Sequence, residues 1–315
     1  GNIFQQFYNM AETIIVGRTI SVEALAAVGA TGSISFLIVG FVQGVTSGFA
    51  VITAQRFGAG SENGVRRSVA TSIILGIAVT IVMTAISVLA ARPLLEIMKT
   101  PSDIIDDSYN YIIVIFEGIA AAVFFNLFSS ILRSLGDSKT PLVFLIIASI
   151  INIILDFVFI LTFKMGVAGA GWATVIAQFI SGILCFVYSL KKFPILRLTK
   201  HDWKFSWKFA WQHLEVGLPM AFQFSITAIG TMVIQSALNS LGSTAVAAFT
   251  AGSKIDQFAT QPLASLGVAV ATYTAQNYGA RELERIKKGV TGAAIIATVC
   301  GIVGGFVVIT FAKPL

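Results

Sequence analysis

The chain has 315 residues and a formal net charge of +6, with 56% hydrophobic and 11% charged residues. A soluble domain carries roughly twice that share of charge. The composition therefore excludes an ordinary water-soluble protein and indicates one embedded in the lipid bilayer. The positive charge is better explained by membrane topology than by nucleic-acid binding.

Apolar runs of about twenty residues recur along the chain, and runs of that length cross the hydrocarbon core as helices. They predict nine spans, at residues 1–17, 25–54, 68–91, 109–132, 141–162, 168–190, 213–239, 245–276 and 289–312. The fold class expected is an all-α, polytopic helix bundle. The two cysteines, Cys185 and Cys300, fall inside predicted spans, so we expect neither a disulfide nor a metal site.

Two segments repeat at a constant offset of 221 residues. The first copy contains AQRFGA at 54–59 and the second contains AQNYGA at 275–280, and each is followed by a basic turn. Membrane proteins built from two parallel halves are typically transporters. The repeat therefore predicts two lobes with parallel six-helix repeats.

The repeat also predicts how the chain divides. Residues 1–190 should form the first six-helix lobe with its first span clipped, and residues 213–315 the first three helices of the second lobe. Residues 191–212 should form a cytoplasmic linker between them. A complete second repeat would need about three more helices, so we expect a longer protein.

The basic residues are distributed unequally between the two sides of the predicted bundle. Fifteen lysines and arginines fall in the connections after spans 2, 4, 6 and 8, and five fall on the opposite side. The positive-inside rule places the richer side, and with it the N-terminus, in the cytoplasm. We expect a multi-pass protein of the cell membrane.

The linker carries three tryptophans at intervals of four residues, Trp203, Trp207 and Trp211. This spacing predicts one aromatic helical face, flanked by lysines, lying on the inner leaflet. We interpret the segment as a hinge that tethers the two lobes. A lipid-sensing role is the less favoured alternative.

Four oxygen-bearing side chains are predicted to share one layer of the first lobe. Asn152 and Asp156 are four residues apart, so they lie on one face of span 5. Glu12 and Thr174 lie about two turns from the outer ends of spans 1 and 6, at a depth similar to that of Asp156, given ~1.5 Å of rise per residue. Two carboxylates, an amide and a hydroxyl suit a small hard cation or a proton. A structural hydrogen-bond cluster is the alternative, but intramembrane acids usually mark ion pathways.

Other polar residues inside spans are candidates for a substrate cavity. They are Glu117, Gln223, Gln235, Lys254 and Asp256. Gly40, Gly44 and Gly48, also four apart, instead predict a close helix–helix contact.

The chain resembles the multidrug and toxic compound extrusion (MATE) transporters over its whole length. The resemblance rests on the repeated motif and on the segments FQQFYNMAETIIVGR (4–18), RSLGDSKTP (133–141), NIILD (152–156) and GVAGAGWAT (166–174). It implies twelve helices in two lobes, and export of mostly cationic amphipathic compounds driven by inward flow of H⁺ or Na⁺, with no other cofactor. It also implies that Glu12, Asn152, Asp156 and Thr174 match the family's first-lobe cation site, where the family usually has aspartate in place of Glu12.

Two alternatives to drug export remain. A flippase of lipid-linked saccharides in the same superfamily would need several arginines in its cavity to bind pyrophosphate, and no arginine falls inside a predicted span. A membrane-embedded enzyme would need a catalytic motif within the spans, whereas His201 and His213 lie on or beside the linker. We expect a monomer that binds small organic cations and the bilayer, and no nucleic acid.

Overall fold

A computed structural model of the chain describes residues 14–239 and 243–311, which are overwhelmingly helical and contain no strand. After α1, whose described part covers residues 14–19, the helices are α2 (Val22–Ala30), α3 (Gly32–Gly58), α4 (Glu62–Ile97), α5 (Ile105–Glu117), α6 (Ile119–Ser134), α7 (Lys139–Phe157), α8 (Gly166–Lys192), α9 (Trp207–Asn239), α10 (Ser243–Gly279) and α11 (Leu283–Phe311). We call α1–α8 the first lobe and α9–α11 the second lobe.

Six described helices are long and apolar enough to cross a membrane, and seven if the bent pair α5–α6 counts as one span. The prediction of an all-α membrane protein is confirmed, but the count of nine spans is not. Most of the predicted first span lies outside the described residues, and α10 is not among the six.

The predicted span at 25–54 is not one continuous helix, because α2 ends at Ala30 and α3 begins at Gly32. The break is at Thr31, whose backbone N–H and side-chain hydroxyl both donate to the carbonyl oxygen of Val28. A hydroxyl that bonds its own backbone competes with the helical ladder, and the adjacent glycines lower helix propensity.

Span 4 is also interrupted, by a 48° bend between α5 and α6. Gly118 lies at the bend, and a Cβ at this position would collide with the side chain of Val175 on α8. The glycine thus permits both the change of direction and the close approach of α8.

The predicted interfacial helix over residues 191–212 is not formed. A 3₁₀ turn at Pro194–Leu196 follows α8, and α9 begins only at Trp207, so Trp203 does not share a helical face with the later tryptophans. Proline lacks the N–H that would continue a helix. Asp202 instead accepts hydrogen bonds from the backbone N–H and the hydroxyl of Thr199, both at 2.7 Å.

The Asp202 carboxyl also fixes the linker to the start of α4, because its Oδ2 lies 3.6 Å from Nε of Arg66. Burial raises the pKa of this carboxyl, but the hydrogen bonds from Thr199 and the charge of Arg66 outweigh burial, so its pKa lies below the usual value.

Glycines on α3 allow the two lobes to pack closely. A Cβ added at Gly44 would lie 2.6 Å from the Cα of Ala221 on α9, and one added at Gly48 would lie 2.7 Å from the backbone nitrogen of Gly217. At Gly40 the nearest atom is Cβ of Phe224, at 3.3 Å. The predicted close helix–helix contact is confirmed, and its partner is α9.

A buried hydrogen-bond chain reinforces this contact. Nδ1 of His213 donates to the carbonyl oxygen of Phe209 at 2.9 Å, so in the neutral ring Nε2 accepts from Oγ of Ser68, also at 2.9 Å. Ser68 in turn bonds Thr53 at 2.9 Å. The side chains of Thr53, Ser68 and His213 are fully buried, and they join α3, α4 and α9.

We expect Ser68→Ala to destabilise the protein by about 1–3 kcal/mol, because it leaves the buried Nε2 of His213 and the Thr53 hydroxyl without their partner. Thermal unfolding of the purified protein in detergent measures the effect. Thr227→Ala on α9 is the matched control, since its exposed hydroxyl bonds only the carbonyl of Gln223 within its own helix. Equal midpoints for the two variants would contradict a role for this chain in stability.

Candidate functional site

The centre of the candidate site is a polar pair between α7 and α8. Nδ2 of Asn152 donates to Oγ1 of Thr174 at 3.2 Å. Asp156 lies one helical turn after Asn152, and both side chains are fully buried, while Thr174 is 9% exposed. The structure therefore brings Asn152 and Thr174 together, with Asp156 on the same face of α7, as their spacing predicts.

This arrangement leaves ligand capacity at the site. Among the described residues, Oδ1 of Asn152 is buried without a hydrogen-bond partner. A buried carbonyl oxygen without a partner is costly. Amide, hydroxyl and carboxylate oxygens are the ligands that Na⁺ and similar hard cations prefer. The residues present thus fit a small cation or a proton.

Glu12 lies outside the described residues, but the described part of α1 packs near the site. Ile15 and Val16 belong to one apolar cluster with Ile160, which lies four residues after Asp156. The cluster also includes Val167 and Ala170 at the start of α8. The predicted contribution of Glu12 stays a prediction.

The helical ladder changes immediately after Asp156. Val158–Thr162 form a π-helical turn at the end of α7, and the chain then reverses into α8. Such turns widen the helix by one residue and are frequent at functional sites. The irregularity is therefore consistent with a specialised role for the adjacent carboxylate.

A cavity of about 470 Å³, lined by both polar and apolar side chains, lies between the first lobe and α10. Thr174 lines it, and its hydroxyl accepts the hydrogen bond from Asn152. The other polar lining residues are Gln43, Ser47, Asn126, Ser129, Arg133, Ser138, Ser149, Gln178, Ser265, Thr272, Tyr273 and Gln276. We call this space the inter-lobe cavity.

The two copies of the repeated motif meet at the basic end of the inter-lobe cavity. A Cβ on Gly58 would collide with the backbone carbonyl of Gln276, and a Cβ on Gly279 would collide with the carbonyl of Gln55. The two contacts are related by the 221-residue offset of the repeat. Nε2 of Gln276 also donates to the carbonyl of Ser134 at 2.8 Å. The repeat thus forms a reciprocal contact between the lobes, which we call the glycine contact.

Two of the residues predicted for a substrate cavity do not line the inter-lobe cavity. Glu117 is exposed because the preceding residue, Phe116, takes the core-facing position of α5. Gln223 is exposed because Ala221, two positions earlier and about 200° around α9, faces α3. The side chains of Gln235, Lys254 and Asp256 lie outside the described residues.

Sequence reasoning missed the surroundings of two polar side chains. His213 is the first residue of the span predicted at 213–239, and sequence reasoning gives no indication of its bond to Ser68, which is 145 residues away in sequence. Arg133 was assigned to a connection, but it lies in the last turn of α6 and lines the inter-lobe cavity. The position of Ser68 within an apolar run is the one sequence feature that indicates a buried polar contact. Nothing in the sequence identifies His213 as its partner.

Comparison with known proteins gives consistent matches. The family model described as MatE matches residues 1–158 and 219–315. The probable multidrug resistance proteins YpnP and YoeA of Bacillus subtilis (strain 168) are 30% and 29% identical over 290 and 294 residues, each alignment covering 91% of this chain and 64% of the relative. The chain thus spans just under two thirds of their length.

A solved structure is also similar. A transporter of the MOP superfamily from Pyrococcus furiosus superimposes with a TM-score of 0.89 at 27% identity, covering 98% of this chain and 68% of that one. The description of that structure states that its binding pocket has reverse polarity, which suggests a different function for it.

Proposed function

The chain belongs to the MatE family, and on that premise we propose that it is part of a secondary active antiporter. The antiporter exports amphipathic, mostly cationic drugs or toxins in exchange for H⁺ or Na⁺. The observation that carries this proposal is the buried Asn152–Asp156–Thr174 group, of which Thr174 also lines the inter-lobe cavity. A cation bound behind one wall of a cavity can alter what the cavity binds.

The mechanism is competition by linkage. Charge or protonation at Asp156 changes how α7 and α8 pack, and both helices contribute to the wall of the inter-lobe cavity. If the cation favours the conformation with weak substrate affinity, the substrate must by reciprocity weaken cation binding. Substrate then leaves outward while the cation enters. No cofactor beyond the coupling ion is required.

The test uses the full-length protein in inverted membrane vesicles with an imposed H⁺ or Na⁺ gradient. Uptake of ethidium should depend on one of the two gradients and collapse when an ionophore dissipates it. Uptake that is unchanged without any cation gradient would rule out antiport.

Arg133 supports a second candidate for the cargo. It is the one charged side chain among the described residues lining the inter-lobe cavity, and its Nη2 donates to Oγ of Ser130 at 2.7 Å. A guanidinium suits a carboxylate or phosphate better than a cation. The flippase of lipid-linked saccharides, which needs several such groups, stays second because the described lining contains a single arginine. Transport of fluorescein in place of ethidium would favour an anionic cargo.

We also propose that the basic side of the bundle faces the cytoplasm, that the protein resides in the plasma membrane and that it acts as a monomer. The prediction on orientation uses single cysteines in a background with Cys185 and Cys300 replaced by alanine. In intact cells a membrane-impermeant thiol reagent should label residues 100–107 and leave residues 60–65, 191–208 and 281–288 unlabelled. Labelling of the linker from outside would reverse the proposed orientation.

A further inference from the structure

A second cavity, of about 990 Å³, opens on the side of the first lobe that faces the surrounding lipid. Helices α4 and α8 form its walls and α6 its floor, and the linker closes one end; we call it the lateral groove. Its lining is dominated by apolar side chains, including Phe124, Phe128 and Phe186. Ile77 and Ile81 on its rim are 56% and 64% exposed, as expected for side chains that contact lipid chains.

The length of the lateral groove matches one leaflet of a bilayer. Its wall on α4 runs from residue 69 to residue 81, and its wall on α8 from residue 179 to residue 191. Each stretch is about 18 Å long at ~1.5 Å per residue. Half of the hydrocarbon core is about 15 Å thick. An acyl chain of one leaflet therefore fits along the groove.

The linker end of the groove is positively charged. Lys191 and Arg197 line it and are exposed, and its described lining contains no acidic residue. The acid nearest in sequence, Asp202, is directed to Arg66, with 3.6 Å between Oδ2 and Nε. Trp203 lies at the same end, and tryptophan is typical of the depth at which headgroups lie.

We propose that the lateral groove binds an anionic phospholipid from the leaflet on the basic side. One acyl chain lies between α4 and α8, and the phosphate contacts Lys191 and Arg197. Gly76 lines the groove and contributes no side chain to it; a Cβ there would make an ordinary contact with Cδ2 of Leu127, at 3.4 Å. This binding site is separate from the coupling site, so it does not depend on the proposed transport activity.

The test measures quenching of Trp203 by brominated phospholipids in proteoliposomes. The full-length protein keeps Trp203, and every other tryptophan is replaced by phenylalanine, including Trp172, Trp207 and Trp211. Brominated phosphatidylglycerol, diluted in phosphatidylcholine, should quench Trp203 at a mole fraction roughly tenfold lower than brominated phosphatidylcholine, because two basic residues contribute at the membrane surface. Equal quenching by the two lipids would overturn the proposal.

Two variants and a control separate site binding from general surface charge. Lys191→Gln with Arg197→Gln should abolish the preference, and because both side chains are exposed the fold should be preserved. Lys287→Gln with Lys288→Gln removes the same charge from exposed positions near the start of α11 and should leave the preference intact.

The remaining outcomes are also decisive. Gly76→Phe fills the groove and should reduce quenching by phosphatidylglycerol to the level of phosphatidylcholine. Loss of the preference in the Lys287/Lys288 control, or its persistence in the Lys191/Arg197 or Gly76 variants, would refute a site in the groove.

Discussion

Asp156→Asn should reduce gradient-driven export by roughly tenfold or more, since the coupling free energies of linked sites commonly correspond to about 5–150-fold. Asparagine keeps the size and much of the hydrogen-bonding capacity of aspartate, but it can neither ionise nor release a proton. The side chain is fully buried one turn from Asn152, so bulk solvent cannot replace it as a cation ligand. Ethidium uptake into inverted vesicles under each gradient measures the effect.

The matched control is Asp103→Asn, which makes the same chemical change on an exposed residue of the connection between α4 and α5. It should transport normally. Glu12→Gln should resemble Asp156→Asn, Glu12→Asp should retain function, and the double variant should be no worse than either single one, because we propose that both carboxylates serve one site. Normal transport by Asp156→Asn would show that the site is structural and does not couple a cation to export.

Valine at Gly58 or Gly279 should prevent the lobes from closing at the basic end. Each glycine faces a backbone carbonyl of the other motif copy, and backbone cannot move aside as a flexible side chain can. Overpacking of this kind typically costs about 1–3 kcal/mol. A conformational change that needs the glycine contact would become roughly 5–150-fold less populated, and export should fall accordingly.

The distance between the two motif copies can be measured by electron paramagnetic resonance between spin labels at Phe57 and Tyr278, which are both exposed. The distribution should shift to longer distances in both glycine variants. Gly32→Val on α3 and Gly267→Val on α10 are the controls, because a Cβ at either position meets nothing within 4 Å. An unchanged distribution together with lost export would show that the glycine contact does not control closure.

Local periodicity predicted the parts of the molecule that depend on one helix face. The interval between Asn152 and Asp156 predicted that both lie on one side of α7, and the depth of Thr174 predicted that it lies at the same level. In the structure Asn152 donates a hydrogen bond to Thr174. The spacing of the three glycines on α3 likewise predicted a close contact, although not that α9 would be the partner.

The features that sequence reasoning missed depend on interactions between distant segments or on local competition for hydrogen bonds. The helix break at Thr31 lies between Gly29 and Gly32 in an otherwise apolar run, and both the backbone N–H and the hydroxyl of Thr31 bond the Val28 carbonyl. At the bend, Gly118 leaves room for Val175 of α8, and the buried ring of His213 is hydrogen-bonded to Ser68 of α4. None of these partners can be identified from hydropathy, because hydropathy carries no information about which faces meet.

The central claim is that a cation at the first-lobe carboxylates moves in exchange for substrate, and reciprocal flux tests it most directly. Full-length protein is reconstituted into proteoliposomes containing a pH-sensitive or Na⁺-sensitive dye, and a substrate gradient is imposed with no cation gradient. The account predicts that substrate movement drives H⁺ or Na⁺ in the opposite direction, and that Asp156→Asn removes this flux. Substrate movement through the unmodified protein without any counterflow of either cation would contradict the account.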